Sequence, residues 1–184
     1  TCPNSSITGT ATVNVIALAV PVITGPTNIC AETTGNVYST EAGMSNYTWV
    51  VSAAGTVTAG GTPTDNTVTV TWNTGGSHNI SVRYNNTNNC AASSPTIFPV
   101  NVYALPIPTI TGSTSACLNS SKVYSTQPGM TNYQWNVSGG GTVTSGGGTG
   151  DNTVTVIWNT IGAQTVSVNY TSVDGWDAPA ETVK

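Results

Sequence analysis

Short runs of alternating apolar and polar residues, separated by Gly, Asn, Pro and Asp, recur along the whole chain. In the run from Val68 to Trp72 every second residue is apolar, which is the two-residue period of a strand that buries one face. No run places apolar residues at the three- and four-residue spacing of an amphipathic helix. Many short strands with turn residues between them predict an all-β sandwich.

The alternating pattern occurs twice, at a fixed offset. Residues 36–84 align without a gap with residues 122–170, and 30 of the 49 aligned positions are identical. In a chain of 184 residues this repetition predicts two copies of one small domain. We place repeat 1 at residues 17–105 and repeat 2 at residues 106–184, whereas residues 1–16 match the final strand of a repeat.

The differences between the two copies predict which side chains face the core. Val50 of repeat 1 is replaced by Asn136 in repeat 2, so this position is expected to face solvent, and alternation directs its neighbours inward. Strands of repeat 1 are expected near residues 22–25, 36–40, 47–52, 56–59, 67–73, 79–85 and 96–103. The expected inward-facing residues are Tyr47, Trp49, Val51, Val68, Val70, Trp72, Ile80, Val82 and Tyr84, with Trp135 and Trp158 as the repeat 2 equivalents of the two tryptophans.

A longer motif is shared by the two repeats. It reads Asn-Tyr-x-Trp-x-Val-Ser, then Asn-Thr-Val-Thr-Val-x-Trp, and closes with Ser-Val-x-Tyr. This motif resembles the PKD-like repeats of bacterial surface proteins, which are similar to the immunoglobulin-like sandwich of polycystic-kidney-disease domains. Such repeats occur in long cell-surface and secreted proteins of Bacteroidetes. The resemblance implies immunoglobulin-like sandwiches arranged end to end and a spacer, adhesive or matrix role, and it supplies no catalytic residues.

The amino-acid composition of the chain excludes some classes of binding partner. Charged residues make up 5% of the chain, the net charge is −4, and only three residues are basic. No basic stripe is therefore available for the phosphates of nucleic acid or for anionic membranes. No apolar run reaches the length of about 18 residues that a membrane span requires, so we expect no membrane insertion.

The cysteines indicate the compartment. Four Cys with no Cys-x-x-Cys pair and a single His fit disulfides in an oxidising, extracellular or cell-surface location better than a zinc site. We predict a Cys30–Cys90 bond within repeat 1, although simple strand alternation would separate these residues by the length of a sandwich. Trp176 stands where repeat 2 would have the equivalent of Cys90, which leaves Cys117 to pair with Cys2 of a leading strand.

Isolated polar residues are the candidate catalytic or metal-binding residues, and each also has a purely structural interpretation. His78 lies in a predicted turn and is replaced by Gln164 in repeat 2, so no hydrolytic triad is repeated. Asp65 and Asp151 each precede a strand and suggest calcium, but one carboxylate per turn is too few, so we expect hydrogen-bonded turns. A second candidate cation site is formed by Asp174, Asp177 and Glu181. We expect no catalytic, cofactor or metal site.

Two features suggest sugar or surface binding. Thr67, Thr69 and Thr71 would form an outward row, although Ile157 interrupts it in repeat 2 and Thr is a common strand residue. Trp176 has no tryptophan equivalent in repeat 1 and is the best candidate for an exposed aromatic that contacts a partner.

The two ends of the sequence suggest two forms of assembly. Val13-Asn14-Val15 matches Val100-Asn101-Val102 of repeat 1, whereas residues 171–184 contain only the start of that strand for repeat 2. The chain is either a section of a longer covalent array or a subunit whose leading strand completes repeat 2 of the next copy in a head-to-tail filament. We therefore predict an extracellular structural module, a spacer or a filament- or matrix-forming subunit, and not an enzyme. The alternative is an adhesin or a carbohydrate-binding module of a larger secreted protein.

Overall fold

A computed structural model describes residues 9–10 and 12–184, and all regular secondary structure in these residues is β-strand. The predicted all-β class is confirmed. Repeat 1 contains β1 (Asn28–Cys30), β2 (Asn36–Ser39), β3 (Ser45–Val51), β4 (Gly55–Gly60), β5 (Thr67–Trp72), β6 (Gly76–Asn85) and β7 (Thr96–Tyr103). Repeat 2 contains β8 (Ser121–Ser125), β9 (Thr131–Val137), β10 (Gly141–Gly146), β11 (Thr153–Trp158), β12 (Val166–Thr171) and β13 (Thr182–Val183).

Each repeat is built from two sheets. In repeat 1 the strand orders are β2-β5-β4 and β1-β7-β6-β3, and in repeat 2 they are β8-β11-β10 and β13-β12-β9. Strand β5 pairs antiparallel with β2, and β11 pairs antiparallel with both β8 and β10, as in an immunoglobulin-like sandwich. The chain divides into two compact units, of which the second holds repeat 2 together with residues 28–33, 72–77 and 101–105.

The prediction of a strand at residues 22–25 was wrong. It is reduced to a single bridge between Thr24 and Ser39, and Pro26, which has no backbone N–H, follows directly. Beyond Pro26 the chain pairs in parallel with β7 as strand β1, with Ile29 opposite Val102. The first segment of repeat 1 is therefore shared between both of its sheets.

The core of repeat 1 confirms the predicted alternation. Val68, Val70 and Trp72 on β5, and Ile80 and Val82 on β6, are fully buried. Burying an aliphatic side chain of this size contributes about 1.5–3 kcal/mol to stability, so these strands carry much of the folding free energy.

Repeat 2 has the corresponding core. Val154, Val156 and Trp158 of β11 pack with Tyr124 and Val166. A second cluster is formed by Tyr133, Val168 and Tyr170, and the partly buried Trp135 packs against both clusters.

Candidate functional site

A groove of about 440 Å³ opens at one end of repeat 2. The buried rings of Tyr124 and Trp158 form part of its lining, and the Trp158 indole N–H donates to the Tyr124 hydroxyl at 3.0 Å. Residues 113–118 and 160–162 form the remaining sides, and both segments lie outside the strands. The groove is therefore lined by aromatic rings and by backbone segments that are not part of a sheet.

Repeat 1 shows what occupies the equivalent position. There β1 pairs in parallel with the end of β7, and the Ala31 N–H donates to the Tyr103 carbonyl at 2.8 Å. Val100 and Val102 of β7 are only 1% and 3% exposed. In repeat 2 the strand equivalent to β7 is β13, which extends over Thr182 and Val183 only.

The strand next to the groove is shortened as well. In repeat 1, β6 begins at Gly76, whereas β12 begins at Val166, which is the equivalent of Ile80. Between Trp158 and Val166 the side chain of Gln164 instead accepts hydrogen bonds from the Ser138 hydroxyl at 2.6 Å and from the Gly140 N–H at 3.2 Å. Besides the two rings and the loop backbone, Cys117 and Lys184 line the groove.

The half-buried tryptophans have a bracing role in both repeats. The Trp49 indole N–H donates to the Asp65 carbonyl at 2.9 Å, and the Trp135 indole N–H donates to the Asp151 carbonyl at 2.8 Å. We expected Trp49 and Trp135 to be as buried as Trp72 and Trp158, but they are half-buried. Each ring must extend to the edge of its sandwich to reach a loop carbonyl.

The carboxylates of the same two loops close their own turns. Asp65 accepts from the backbone N–H and hydroxyl of Thr62, and Asp151 accepts from the Gly148 N–H at 2.9 Å. The hydrogen bonds from Thr62 lower the pKa of the Asp65 carboxyl. These aspartates thus form the hydrogen-bonded turns that the sequence favoured over calcium sites.

A tyrosine ties a loop to each sandwich at equivalent positions. The Tyr47 hydroxyl donates to the Glu41 carbonyl at 2.7 Å and accepts from the Met44 N–H at 3.0 Å. In repeat 2 the Tyr133 hydroxyl makes the same two bonds, to the Gln127 carbonyl at 2.8 Å and from the Met130 N–H at 3.0 Å. This role was not predicted from the sequence, although the shared Gly-Met-x-Asn-Tyr segment could have indicated it.

Two tandem segments of the chain, residues 16–100 and residues 104–182, match the family model of the PKD-like domain. The chain belongs to the PKD-like domain family. The predicted resemblance is confirmed, and the two PKD-like repeats account for most of the sequence.

Similar solved structures include domains of intimin, of invasin and of an S-layer protein. The D00-D0 domain of intimin has a TM-score of 0.48 at 13% identity, with 89% of this chain and 98% of that chain covered. Invasin, described as a bacterial integrin-binding protein, has a TM-score of 0.41 at 20% identity, and 89% of this chain matches 39% of that chain. Domains 4 and 5 of the S-layer protein SbsC have a TM-score of 0.33 at 15% identity, with coverages of 91% and 96%. No curated protein has a significant sequence match to the chain.

The predicted Cys30–Cys90 disulfide of the first PKD-like repeat is not formed. Cys30 pairs with Tyr103 at the last residue of β7, whereas Cys90 lies before β7 begins at Thr96. An eight-residue strand covers roughly 23 Å, well beyond the separation of about 7 Å that a disulfide spans. Cys30, Cys90 and Cys117 are free thiols, and Cys2, the predicted partner of Cys117, lies outside the described residues.

The expected acidic cluster of the second repeat is spread along β12. Glu181 accepts from the Ser167 hydroxyl at 2.6 Å, and Asp177 accepts from the Thr171 hydroxyl at 2.5 Å. Ser167 and Thr171 are four strand residues apart, roughly 13 Å, so their two carboxylate partners are held at different places. In the described residues, no three side chains of His, Cys, Asp or Glu are grouped as metal ligands.

The predictions for His78 and for the threonine row also need correction. His78 is the third residue of β6 rather than a turn residue, because β6 extends to Gly76. Thr67, Thr69 and Thr71 are half-buried rather than open to solvent, and the Thr71 hydroxyl is buried without a hydrogen-bond partner. Their strand β5 is the central one of its sheet, so side chains of both neighbouring strands flank the row.

Trp176 is half-buried, in contrast to the exposed aromatic that we expected. Its ring lies 6.2 Å from that of Tyr103, and its indole nitrogen is buried without a hydrogen-bond partner. The backbone N–H of Trp176 donates to the Ser172 hydroxyl at 3.2 Å. The Trp176 ring is therefore partly packed, with Tyr103 as its aromatic neighbour.

Proposed function

We propose that this chain is an extracellular structural module in which two PKD-like repeats serve as a spacer or as a subunit of a bacterial surface filament or matrix. The proposal is carried by the bracing hydrogen bonds that both repeats contain. The bracing bonds of Trp49 and Tyr47 recur at Trp135 and Tyr133, with distances that agree within 0.1 Å. A module that transmits load needs this internal bracing in every copy.

Surface positions, in contrast, change between the repeats. The exposed Val50 and Arg83 of repeat 1 are replaced by Asn136 and Asn169 in repeat 2. A ligand-binding face used by both copies would keep its chemistry, so the divergence favours a structural role over an adhesin or sugar-binding role. Family membership and the absence of a repeated catalytic grouping in the described residues favour a non-enzymatic protein.

The extracellular location is part of the proposal. In the described residues no helix is long and apolar enough to cross a membrane. The low charge and the large share of Thr, Ser, Asn and Gly suit a surface that is solvated by neutral groups outside the cell. We further propose that copies of the chain associate head to tail through strand complementation.

Force spectroscopy of the 184-residue chain tests the structural role. A spacer should give two unfolding events of similar force, each releasing roughly 280 Å of extended chain for a repeat of about 85 residues, and both should refold on relaxation. A glycan array with the same chain provides the competing outcome. Specific sugar binding that is lost on Trp176→Ala, together with weak or absent force peaks, would replace this proposal with the carbohydrate-binding alternative.

A further inference from the structure

We infer that the outer face of the sheet β2-β5-β4 in repeat 1, and of β8-β11-β10 in repeat 2, docks against the same face of a second copy of this chain. We call this surface the threonine face, because its central strand in repeat 1 carries Thr67, Thr69 and Thr71. The inference rests on the proposed matrix-forming role and adds a lateral contact to it. The contact uses residues in the middle of each repeat and is therefore distinct from head-to-tail association.

The threonine face is the side of each sheet that points away from the core. On β5 the threonines alternate with buried valines, and Val37 of β2 lies opposite Thr69. Val37 is 50% exposed, and its equivalent Val123, opposite Thr155, is 58% exposed. An apolar side chain is thus held in solvent at the same position of both repeats.

The face is preserved between the repeats. In repeat 1 it includes Val37, Ser39, Thr56, Thr67 and Thr69, and the residue 86 positions later is identical in all five cases. None of these five side chains is buried, so packing inside a repeat does not require their identity. Their preservation points to a contact that both repeats make.

The other sheet provides an internal comparison. The cross-strand pairs Thr48–Arg83 and Val50–Ser81 lie on its outer face in repeat 1. In repeat 2 only the serine is retained, and the other three positions carry Asn or Gln. Strand propensity acts on both sheets alike, so it does not explain why one outer face is kept and the other is not.

The lack of charge on the threonine face favours a second copy as its partner. Strands β2, β4, β5, β10 and β11 contain no Asp, Glu, Lys or Arg. Lys122 of β8 lies opposite the buried Val156, which places it on the inner side of its sheet. Like charges that face each other are destabilising, and the chain has a net charge of −4. A face without charges can meet its own copy without that repulsion.

Hydroxyl groups at one edge of the face already have partners within the chain. The Thr24 and Ser39 hydroxyl oxygens lie 2.8 Å apart, and those of Thr111 and Ser125 lie 2.6 Å apart. Burying a hydroxyl is costly when it loses its hydrogen bonds to water without a replacement. Docking at this edge therefore removes methyl groups from water at little polar cost.

The replacements on the face argue against a sugar as the occupant. Ala59 and Thr71 are replaced by Ser145 and Ile157, and both changes keep the face uncharged. A ligand that reads hydroxyl groups loses one at Ile157, whereas apolar packing gains a side chain there. Sites for small ligands are concave and rich in aromatic rings, but the outward residues of these six strands include no aromatic ring, amide or carboxylate.

The size of the face sets the strength of the contact. Three strands of four to six residues present roughly 250–300 Å² on the face of one repeat. Two such faces bury about 500–600 Å² in total, which is roughly half of the 1,200 Å² that a stable interface needs. A single contact is therefore weak. Successive repeats strengthen it by avidity, which suits lateral packing in a matrix.

The first test places like charges on the face in the full chain. Val37→Lys combined with Val123→Lys should weaken concentration-dependent association, because it opposes lysines across the contact. Val50→Lys combined with Asn136→Lys is the matched control, since it adds the same charge to the other outer face. Sedimentation at rising concentration should show the mean mass of the parent and the control rising equally above 18.7 kDa, and that of the face variant rising less. An equal rise in all three chains, or no rise in the parent, overturns the inference.

The second test restores the contact with opposite charges. A chain with Val37→Glu and Val123→Glu is mixed with the chain that carries Val37→Lys and Val123→Lys. The mixture should regain at least the mean mass of the parent and lose it at high salt, whereas the uncharged parent contact should not weaken with salt. Recovery in the mixture also shows that both variants are folded. A mixture that stays at the mass of its separate components contradicts face-to-face docking.

A glycan array separates the two possible occupants. Sugar binding by a parent chain that stays monomeric, with loss of that binding in the Val37→Lys and Val123→Lys chain, would assign the face to a sugar and overturn the inference. The force measurement on single chains does not depend on association. The structural role therefore stands or falls separately from the lateral contact.

Discussion

The Tyr84 hydroxyl donates to the Glu41 carboxylate at 2.9 Å and joins two residues that are 43 positions apart in the sequence. The same carboxylate accepts from the Thr40 hydroxyl at 2.7 Å and from the Val22 N–H at 3.1 Å. In repeat 2 the equivalents of this pair are Tyr170 and Gln127, so a neutral amide replaces the carboxylate. The two repeats therefore differ by one ionisable group at an otherwise matched site.

This difference predicts a pH dependence on the acid side. Burial raises the pKa of the Glu41 carboxyl, but the hydrogen bonds from Thr40, Val22 and Tyr84 outweigh it, and the net pKa lies below the ordinary value of 4.5. A lowered folded pKa stabilises the protein above the unfolded pKa, and this contribution is lost as pH falls through the folded value. Glu41→Gln should therefore flatten the decline in stability below about pH 4.5. Thermal unfolding across an acid pH series measures this, with Gln127→Glu as the converse variant. An unchanged slope for Glu41→Gln would contradict the assignment.

At alkaline pH we expect the opposite dependence, in which stability falls as pH rises. Burial, the hydrogen bond to Glu41 and the charge of Glu41 together raise the pKa of Tyr84 to about 12. A raised folded pKa contributes stability that is complete below the unfolded tyrosine value of about 10 and is lost as pH rises toward 12. Ultraviolet titration should show late-ionising tyrosines that include Tyr84, and Glu41→Gln should bring the ionisation of Tyr84 to lower pH. An equally late ionisation in Glu41→Gln would assign the shift to burial alone.

The tryptophan hydrogen bonds predict a graded set of variants. Trp49→Phe and Trp135→Phe each remove one indole donor to a loop carbonyl, which should cost about 0.5–1.5 kcal/mol beyond the change in ring size. Trp176→Phe is the control, because its indole nitrogen is buried without a partner and its removal should be neutral or stabilising. Denaturant unfolding monitors all three, and a larger loss for Trp176→Phe than for the other two would contradict the bracing role.

A pair of glycines tests the turn that follows β10. Gly146 has a φ of +67°, and a Cβ placed on it would lie 2.4 Å from the Thr153 carbonyl oxygen. Gly146→Ala should therefore destabilise the protein by more than about 1 kcal/mol. Gly150→Ala is the control, since its Cβ would meet no atom within 4 Å. Equal melting temperatures for the two variants would show that the turn relaxes at no cost.

The thiols should react in order of their exposure. Cys117 is exposed, Cys90 is intermediate, and Cys30 is buried with its pKa raised by burial and by the nearby Glu32. Because the thiolate is the reactive form, an alkylating reagent should label Cys117 first and Cys30 only on unfolding. Timed labelling followed by peptide mapping measures the order. Recovery of a Cys30–Cys90 peptide from unreduced protein would restore the disulfide that the sequence suggested.

The strands and their buried faces could be predicted from the order of residues alone. Alternation is a local property, so Val68, Val70 and Ile80 could be assigned to the core from their neighbours alone, and the comparison of Val50 with Asn136 identified an outer face. The repeat determined the number of domains in the same way, because a shared pattern implies a shared fold. The shared motif also identified the family.

The pairing of strand edges, in contrast, could not be predicted and became visible in the folded chain. The sequence places Cys30 before β2 and suggests no parallel pairing with Tyr103, yet that pairing sends Cys30 to the end of β7 that is remote from Cys90. The burial of Trp176 and the Glu41–Tyr84 bond likewise depend on segments that are distant in sequence. The groove of repeat 2 also depends on distant segments, because residues 113–118 meet Tyr124 and Trp158 there. Local alternation sets what each strand buries, but the partners that complete a sheet are chosen by long-range packing, which no local pattern contains.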